Sequence, residues 1–171
     1  LRVRPAHLRP DRRLAWQLFS LGTPMAAQNT IIAVGGLVIQ SIVNGFGVIF
    51  IAGYTASNKL YGILEIAATS YGYAMVTYVG QNLGAGLCQR IRQGVRHALG
   101  IALATSIVIA LVMLLTGRML VRSFITGSPR EVLEATEIAY HYLAIMSLFL
   151  PILYLLHLYR SSLQGMGDTV L

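Results

Sequence analysis

The sequence predicts an all-α, polytopic membrane protein with four transmembrane helices. Three observations predict it. The composition is too apolar for a domain surrounded by water: 56% of the 171 residues are hydrophobic and 11% are charged, whereas soluble domains are roughly a quarter charged. Mean hydropathy is correspondingly high, at +0.66. Four apolar runs have the length of a bilayer crossing. The basic residues gather in alternate loops between those runs, as they do at the inner face of a membrane.

Net charge is +7, from 13 Lys and Arg against 6 Asp and Glu. A balance this basic also occurs in nucleic-acid-binding chains. Here the clusters alternate with apolar spans instead of forming one patch, so no nucleic-acid partner is expected. The single cysteine, Cys88, excludes an internal disulfide and any cysteine-cluster zinc site.

Residues 1–20 read as a basic cytoplasmic linker with an interfacial lead-in, and residues 21–171 as part of a transmembrane lobe. Pro5 and Pro10 interrupt the basic start, and no secretory leader pattern follows. In "RRLAWQLFSLG", Leu14, Trp16, Leu18 and Leu21 adjoin the basic cluster, which places Trp16 at headgroup level. The chain opens at Leu1 and runs out at "QGMGDTVL"; it reads as a piece of a longer protein.

The first span covers about 22–44 and carries no charge; Thr23-Pro24 suits its first turn. Asn29, Ala33, Gly36, Gln40 and Asn44 recur at helical spacing along it, with Gln28 alongside. Such a stripe is either a packing seam between helices or one wall of a water-filled cavity. The second span covers about 52–80. Asn58, Gly62, Glu65, Thr69 and Gly72 form a similar stripe there. Glu65 is the exceptional residue, since a carboxylate at the bilayer centre costs about 2.5–3.5 kcal/mol on insertion scales. Lys59 lies about 9 Å away along the helix axis and on another face, too far for a direct pair within the helix.

The third span, 98–116, is uncharged throughout: "ALGIALATSIVIALVMLLT". The fourth covers about 138–163. "SPREVLEATEIAY" prepares it, with Ser128 as N-cap, Pro129 in the first turn and Glu131 at N3. Pro151 predicts a kink, through its lost donor and its clash with the carbonyl of Ser147. His141 and His157 stand about 24 Å apart along that helix, so they share no metal; both read as interface or packing histidines. Arg160 reads as a cytoplasmic anchor.

Charge counting orients the spans. Nine basic residues fall on the side of residues 1–20 and 84–97, which is expected to be cytoplasmic, and four on the side of 117–130. "GQNLGAG" lacks the Lys-Ser/Thr of a phosphate loop, and no catalytic arrangement is evident. Neither an enzyme, a metal site nor a cofactor is expected.

Several stretches together resemble the MATE family, the multidrug and toxic compound extrusion transporters. They are "LGTPMAAQN", "IAGYTASNKLYGILEIAATSYGYAM", "VGQNLGAG" followed by "RIRQGVR", and "LQGMGDT". The resemblance covers the chain from about Leu14. It implies a transporter of about twelve helices in two related lobes, of which this chain is similar to the first four helices of the second lobe. Asn44–Gly47 and "GQNLGAG" favour that lobe. The resemblance also implies a multi-pass protein of the plasma membrane. Its work would be to export amphipathic or cationic drug-like compounds in exchange for Na⁺ or H⁺ as coupling ion. Lipid, those substrates and the remaining helices of the parent chain are the partners implied. Some relatives carry an acidic residue in the first helix of this lobe, but Thr23–Asn44 contains none. Coupling then rests on a carboxylate in the other lobe or on Glu65. The pathway candidates are Gln28, Asn29, Gln40, Asn44, Asn58, Glu65 and Thr69. Two alternatives remain at this point: a flippase for lipid or polysaccharide precursors in the same wider superfamily, and a membrane structural subunit without transport. A flippase cavity should be rich in Arg and Lys, and a structural subunit should lack a buried acid.

Overall fold

The computed structural model describes residues 11–168. The first ten residues of the expected linker, with Arg2, Arg4 and Arg9, lie outside them. Four α-helices make up the fold among the described residues: α1 (Arg12–Asn44), α2 (Val48–Gly84), α3 (Cys88–Arg122) and α4 (Pro129–Gly165).

All four helices outrun the apolar spans. The longest have 37 residues, which is about 55 Å of helix against a hydrocarbon core of about 30 Å. Hydropathy locates the part of a helix that suits lipid, whereas hydrogen bonding carries the helix on until something caps or breaks it. At the start of α1 the cap is Asp11, whose side chain accepts from the backbone N–H groups of Arg13 and Leu14 at 2.9 and 3.4 Å. Arg12–Leu21 is therefore continuous with the first span, and Pro24 sits inside α1 instead of opening it. Ser128 and Glu131 form the expected capping box on α4. That helix runs through Pro151 as one element. The short turns 45–47 and 85–87 reverse the chain, using Gly47 and Gly86 at φ 90° and 71°, backbone angles open to glycine at little cost.

Three helices, α1, α3 and α4, are long and apolar enough to cross a membrane. Asn58, Lys59, Glu65 and the tyrosines of α2 dilute its hydropathy. Its passage follows from geometry: tight turns tie it to two helices that cross, and it runs antiparallel between them.

The core lies among α2, α3 and α4. α2 and α4 run parallel and pack most extensively on each other, and α3 lies antiparallel against both. Small residues let the backbones of α2 and α4 meet. A Cβ on Gly53 would sit 2.6 Å from the Ala135 carbonyl oxygen, and one on Gly165 would sit 2.8 Å from that of Val76. Leu64, Ala68 and Val79 of α2 fill the interior with Leu143, Leu150, Tyr154 and Leu158 of α4. From α3 come Ala102, Ser106 and Ala110. Two buried serine hydroxyls bond within their own helices, Ser57 to the Gly53 carbonyl and Ser162 to that of Leu158, while that of Ser147 is buried without a partner among the described residues. α1 stands apart. Val43, beside the turn into α2, is its buried residue, and most of its apolar side chains are exposed.

Candidate ion and substrate pathway

The polar stripes of α1 and α2 occupy the open side of this three-helix body. On α1, Gln28 and Gln40 are half-buried while Asn29 and Asn44 are exposed. Gln40 donates from Nε2 to Asn44 Oδ1 at 3.0 Å, one turn along the same helix. A Cβ on Gly36 would meet nothing within 4 Å. The α1 stripe therefore borders open space among the described residues.

On α2 the stripe passes from open to packed. Asn58 is exposed, Glu65 and Thr69 are half-buried, and Gly72 is buried. Gly62 has open space where a side chain would be, whereas a Cβ on Gly72 would collide with Ser161 Oγ at 2.6 Å. The Thr69 hydroxyl donates to the Ile66 carbonyl of its own helix at 2.9 Å. Glu65 lies at the transition. Its side chain keeps 42% exposure, and Oε1 is 3.8 Å from Nε2 of His157 on α4. That separation makes an ion pair when the imidazole is protonated, and it is too long for a hydrogen bond.

Neighbouring contacts fix the ground around Glu65. The buried Tyr154 donates its hydroxyl to the Leu64 carbonyl at 3.0 Å, which pins α4 to α2 at the residue before Glu65. Tyr71 and Thr105 share a hydrogen bond of 3.0 Å between α2 and α3. One turn beyond His157, Arg160 reaches across to α1 and donates to Asn29 Oδ1 at 3.4 Å. Arg160 thus faces α1 as well as its expected end of the helix.

The structure brings Glu65, His157, Arg160 and Asn29 to one side of the bundle. It leaves Asn58 and the Gln40–Asn44 pair nearer the other end. The contact of His157 with Glu65 is one that sequence reasoning does not reach, since the sequence reads His157 as an interface or packing histidine. Nothing local to α4 reveals it, because its partner is supplied by a helix distant in sequence. Among the described residues, no group of three His, Cys, Asp or Glu side chains converges as a metal site.

At the opposite end, α3 and α4 are joined by Arg118, which donates to both carboxylate oxygens of Glu137, at 2.6 Å to Oε2. The guanidinium lies 5.5 Å from the Tyr140 ring centroid, and Tyr140 donates to the Leu114 carbonyl at 2.8 Å.

The MatE family model matches residues 24–171. The chain belongs to the MatE family. MatE is a family of transporters, and this member is a multi-pass plasma-membrane protein. The MatE chain is similar to two proteins of Bacillus subtilis (strain 168). It is 32% identical over 74 residues to a probable multidrug resistance protein, YpnP, a match covering 43% of this chain and 17% of YpnP. It is 27% identical over 90 residues to a second probable multidrug resistance protein, YoeA, covering 53% of this chain and 19% of YoeA. The matched part is thus less than a fifth of either relative's length.

Proposed function

We propose that this chain is a four-helix segment of an ion-coupled multidrug exporter. The segment would contribute one wall of the substrate cleft and an ionisable group for coupling. The observation that carries this reading is the setting of Glu65. A carboxylate in a span lies beside small and polar residues at the open edge of a packed bundle, where it meets both the cleft and a basic side chain. Intramembrane carboxylates are expensive and characteristically serve ion or substrate paths. Membership of the MatE family and the names of the two relatives support the same reading. Residues 84–97 would face the cytoplasm and 117–130 the outside, as the basic residues predict. Amphipathic cations would enter the cleft from the cytoplasmic side and leave outward as an ion moves in.

The test is drug efflux by the full-length transporter that contains this segment. In cells stripped of their own pumps, it should lower accumulation of ethidium in an ion-gradient-dependent way. Full-length protein that reaches the membrane, folds, and leaves ethidium accumulation unchanged would overturn the proposal.

A further inference from the structure

We propose that the basic end of α3 carries a site for an anionic phospholipid of the inner leaflet, with the lipid phosphate between Arg92 and Arg96 and an acyl chain running past Gly100 along Leu103 and Ile107. The site lies apart from Glu65 and the α1 stripe, and it requires that α3 cross the bilayer with this end inward, whatever the segment transports. α3 begins at Cys88, well before its apolar span opens at Ala98. Arg92 and Arg96 therefore stand about 9 and 3 Å beyond the span, at the depth of a headgroup layer about 5–8 Å thick. Gln89, Arg92, Gln93 and Arg96 share one face of the helix, and with Cys88 they line a cavity of about 450 Å³. The same face enters the span as Gly100, Leu103 and Ile107, at successive steps of four, three and four from Arg96. Leu103 and Ile107 are exposed, and a Cβ on Gly100 would meet nothing within 4 Å. The face is thus polar and basic at headgroup depth and apolar beneath, in the order in which a phospholipid presents its own parts.

Charge selects the kind of lipid. Gly84–His97 contains Arg90, Arg92 and Arg96 and no Asp or Glu. Among the described residues, neither Arg92 nor Arg96 is paired with a carboxylate, in contrast to Arg118, which Glu137 neutralises. Two like charges one helical turn apart repel, and an anion between them removes that cost. A phosphodiester offers oxygens that guanidinium groups bind in pairs, and the amides of Gln89 and Gln93 are donors for its ester oxygens. A zwitterionic lipid carries its own cation beside the phosphate and gains less here. An apolar helix laid over this face would bury two unpaired arginines, whereas an anionic lipid meets them with its phosphate. Another side of the same helix end is fixed to α2. Tyr78 donates its hydroxyl to the Arg90 carbonyl at 2.9 Å, and its ring lies against Gly94, where a Cβ would collide with it. The two guanidinium groups are therefore carried on an anchored helix, which leaves less ordering for the lipid to impose.

The experiment uses the full-length transporter with Leu103→Trp as its one tryptophan, reconstituted in phosphatidylcholine vesicles. These contain either dibrominated phosphatidylglycerol or dibrominated phosphatidylcholine at the same mole fraction. Bromine quenches the indole only at short range, so the fluorescence reports the lipid at this face. The brominated phosphatidylglycerol should quench more strongly. Arg92→Gln combined with Arg96→Gln should bring the two lipids to the same quenching, and Arg90→Gln, on another face, should keep the preference. Both arginines are exposed, so the double variant should fold; Arg92→Lys with Arg96→Lys, which keeps the charge, should retain most of the preference. Inorganic phosphate in excess over the brominated lipid should leave the preference unchanged. Equal quenching by the two lipids before any arginine is replaced, or a preference that survives the loss of both arginines, would overturn the site. An equal loss in Arg90→Gln would reduce it to diffuse surface charge. A preference abolished by phosphate would assign the arginines to a small soluble anion instead. Quenching by neither lipid would show that other helices of the parent chain cover this face, and would overturn the proposal as well.

Discussion

Glu65 and the residues at the α4 cap show how far single side chains shape this segment. Glu65 is half-exposed and its partner is 3.8 Å away, so Gln can replace it without leaving a buried charge behind. Glu65→Gln should leave membrane expression close to wild type and reduce ion-driven efflux or flatten its pH dependence. Unaltered efflux across the working pH range would reduce Glu65 to a structural contact. The cap of α4 makes a different pH prediction. Ser128 donates to Glu131 Oε2 from its hydroxyl at 2.6 Å and from its backbone N–H at 3.0 Å, and these bonds hold the carboxyl below its ordinary value. A lowered native pKa means the cap's contribution is complete above the unfolded-state value and disappears as pH falls through the native one. Protection of the first-turn amides of α4, relative to their intrinsic exchange rates, should therefore fall under acid conditions, and Ser128→Ala should lower it at neutral pH as well. Equal protection in Ser128→Ala would show that the capping box does not hold this end.

Among elements, the parallel contact of α2 with α4 decides the stability of the bundle. A Cβ on Gly53 would drive into a backbone carbonyl at 2.6 Å, and backbone has little room to yield. Gly53→Ala should destabilise the purified full-length protein by about 1–3 kcal/mol, the usual range for overpacking. Gly62→Ala, which points into open space, should leave its thermal transition nearly unmoved. Equal transitions in both variants would contradict this packing. The same contrast shows what the sequence made legible. The helices were readable because apolar runs of bilayer length have few other solutions, and the α4 start because Ser128, Pro129 and Glu131 follow a local capping rule. The ends of α2 and α3 were not, since polar residues such as Gln81, Gln89 and Arg92 continue a helix past lipid without leaving a trace in hydropathy. The stripes of α1 and α2 could be listed from spacing. Which of their members meet a partner could not, because Glu65–His157 and Arg160–Asn29 depend on how distant helices pair, and helical periodicity carries no record of that.

For the molecule as a whole, sidedness is the property most directly measurable. In a full-length Cys88→Ala background without other cysteines, Gln93→Cys and Ser128→Cys should react with a membrane-impermeant thiol reagent from opposite faces. Labelling from one face would refute the alternation of the four helices. The looseness of α1 bears on how the protein is made. α2, α3 and α4 are consecutive in the chain and bury their shared interior without α1, apart from the ties near Val43 and at Asn29. α1 is the first of the four to be synthesised. The bundle can close behind it in the order of synthesis, with few contacts to α1. Assembly of this segment is therefore a problem of three helices followed by the docking of a fourth. A nascent chain of the parent protein stalled far enough beyond Gly165 for α4 to have left the ribosomal tunnel should already show the Gly53–Ala135 contact as an efficient cysteine cross-link, whether or not α1 has settled against α4.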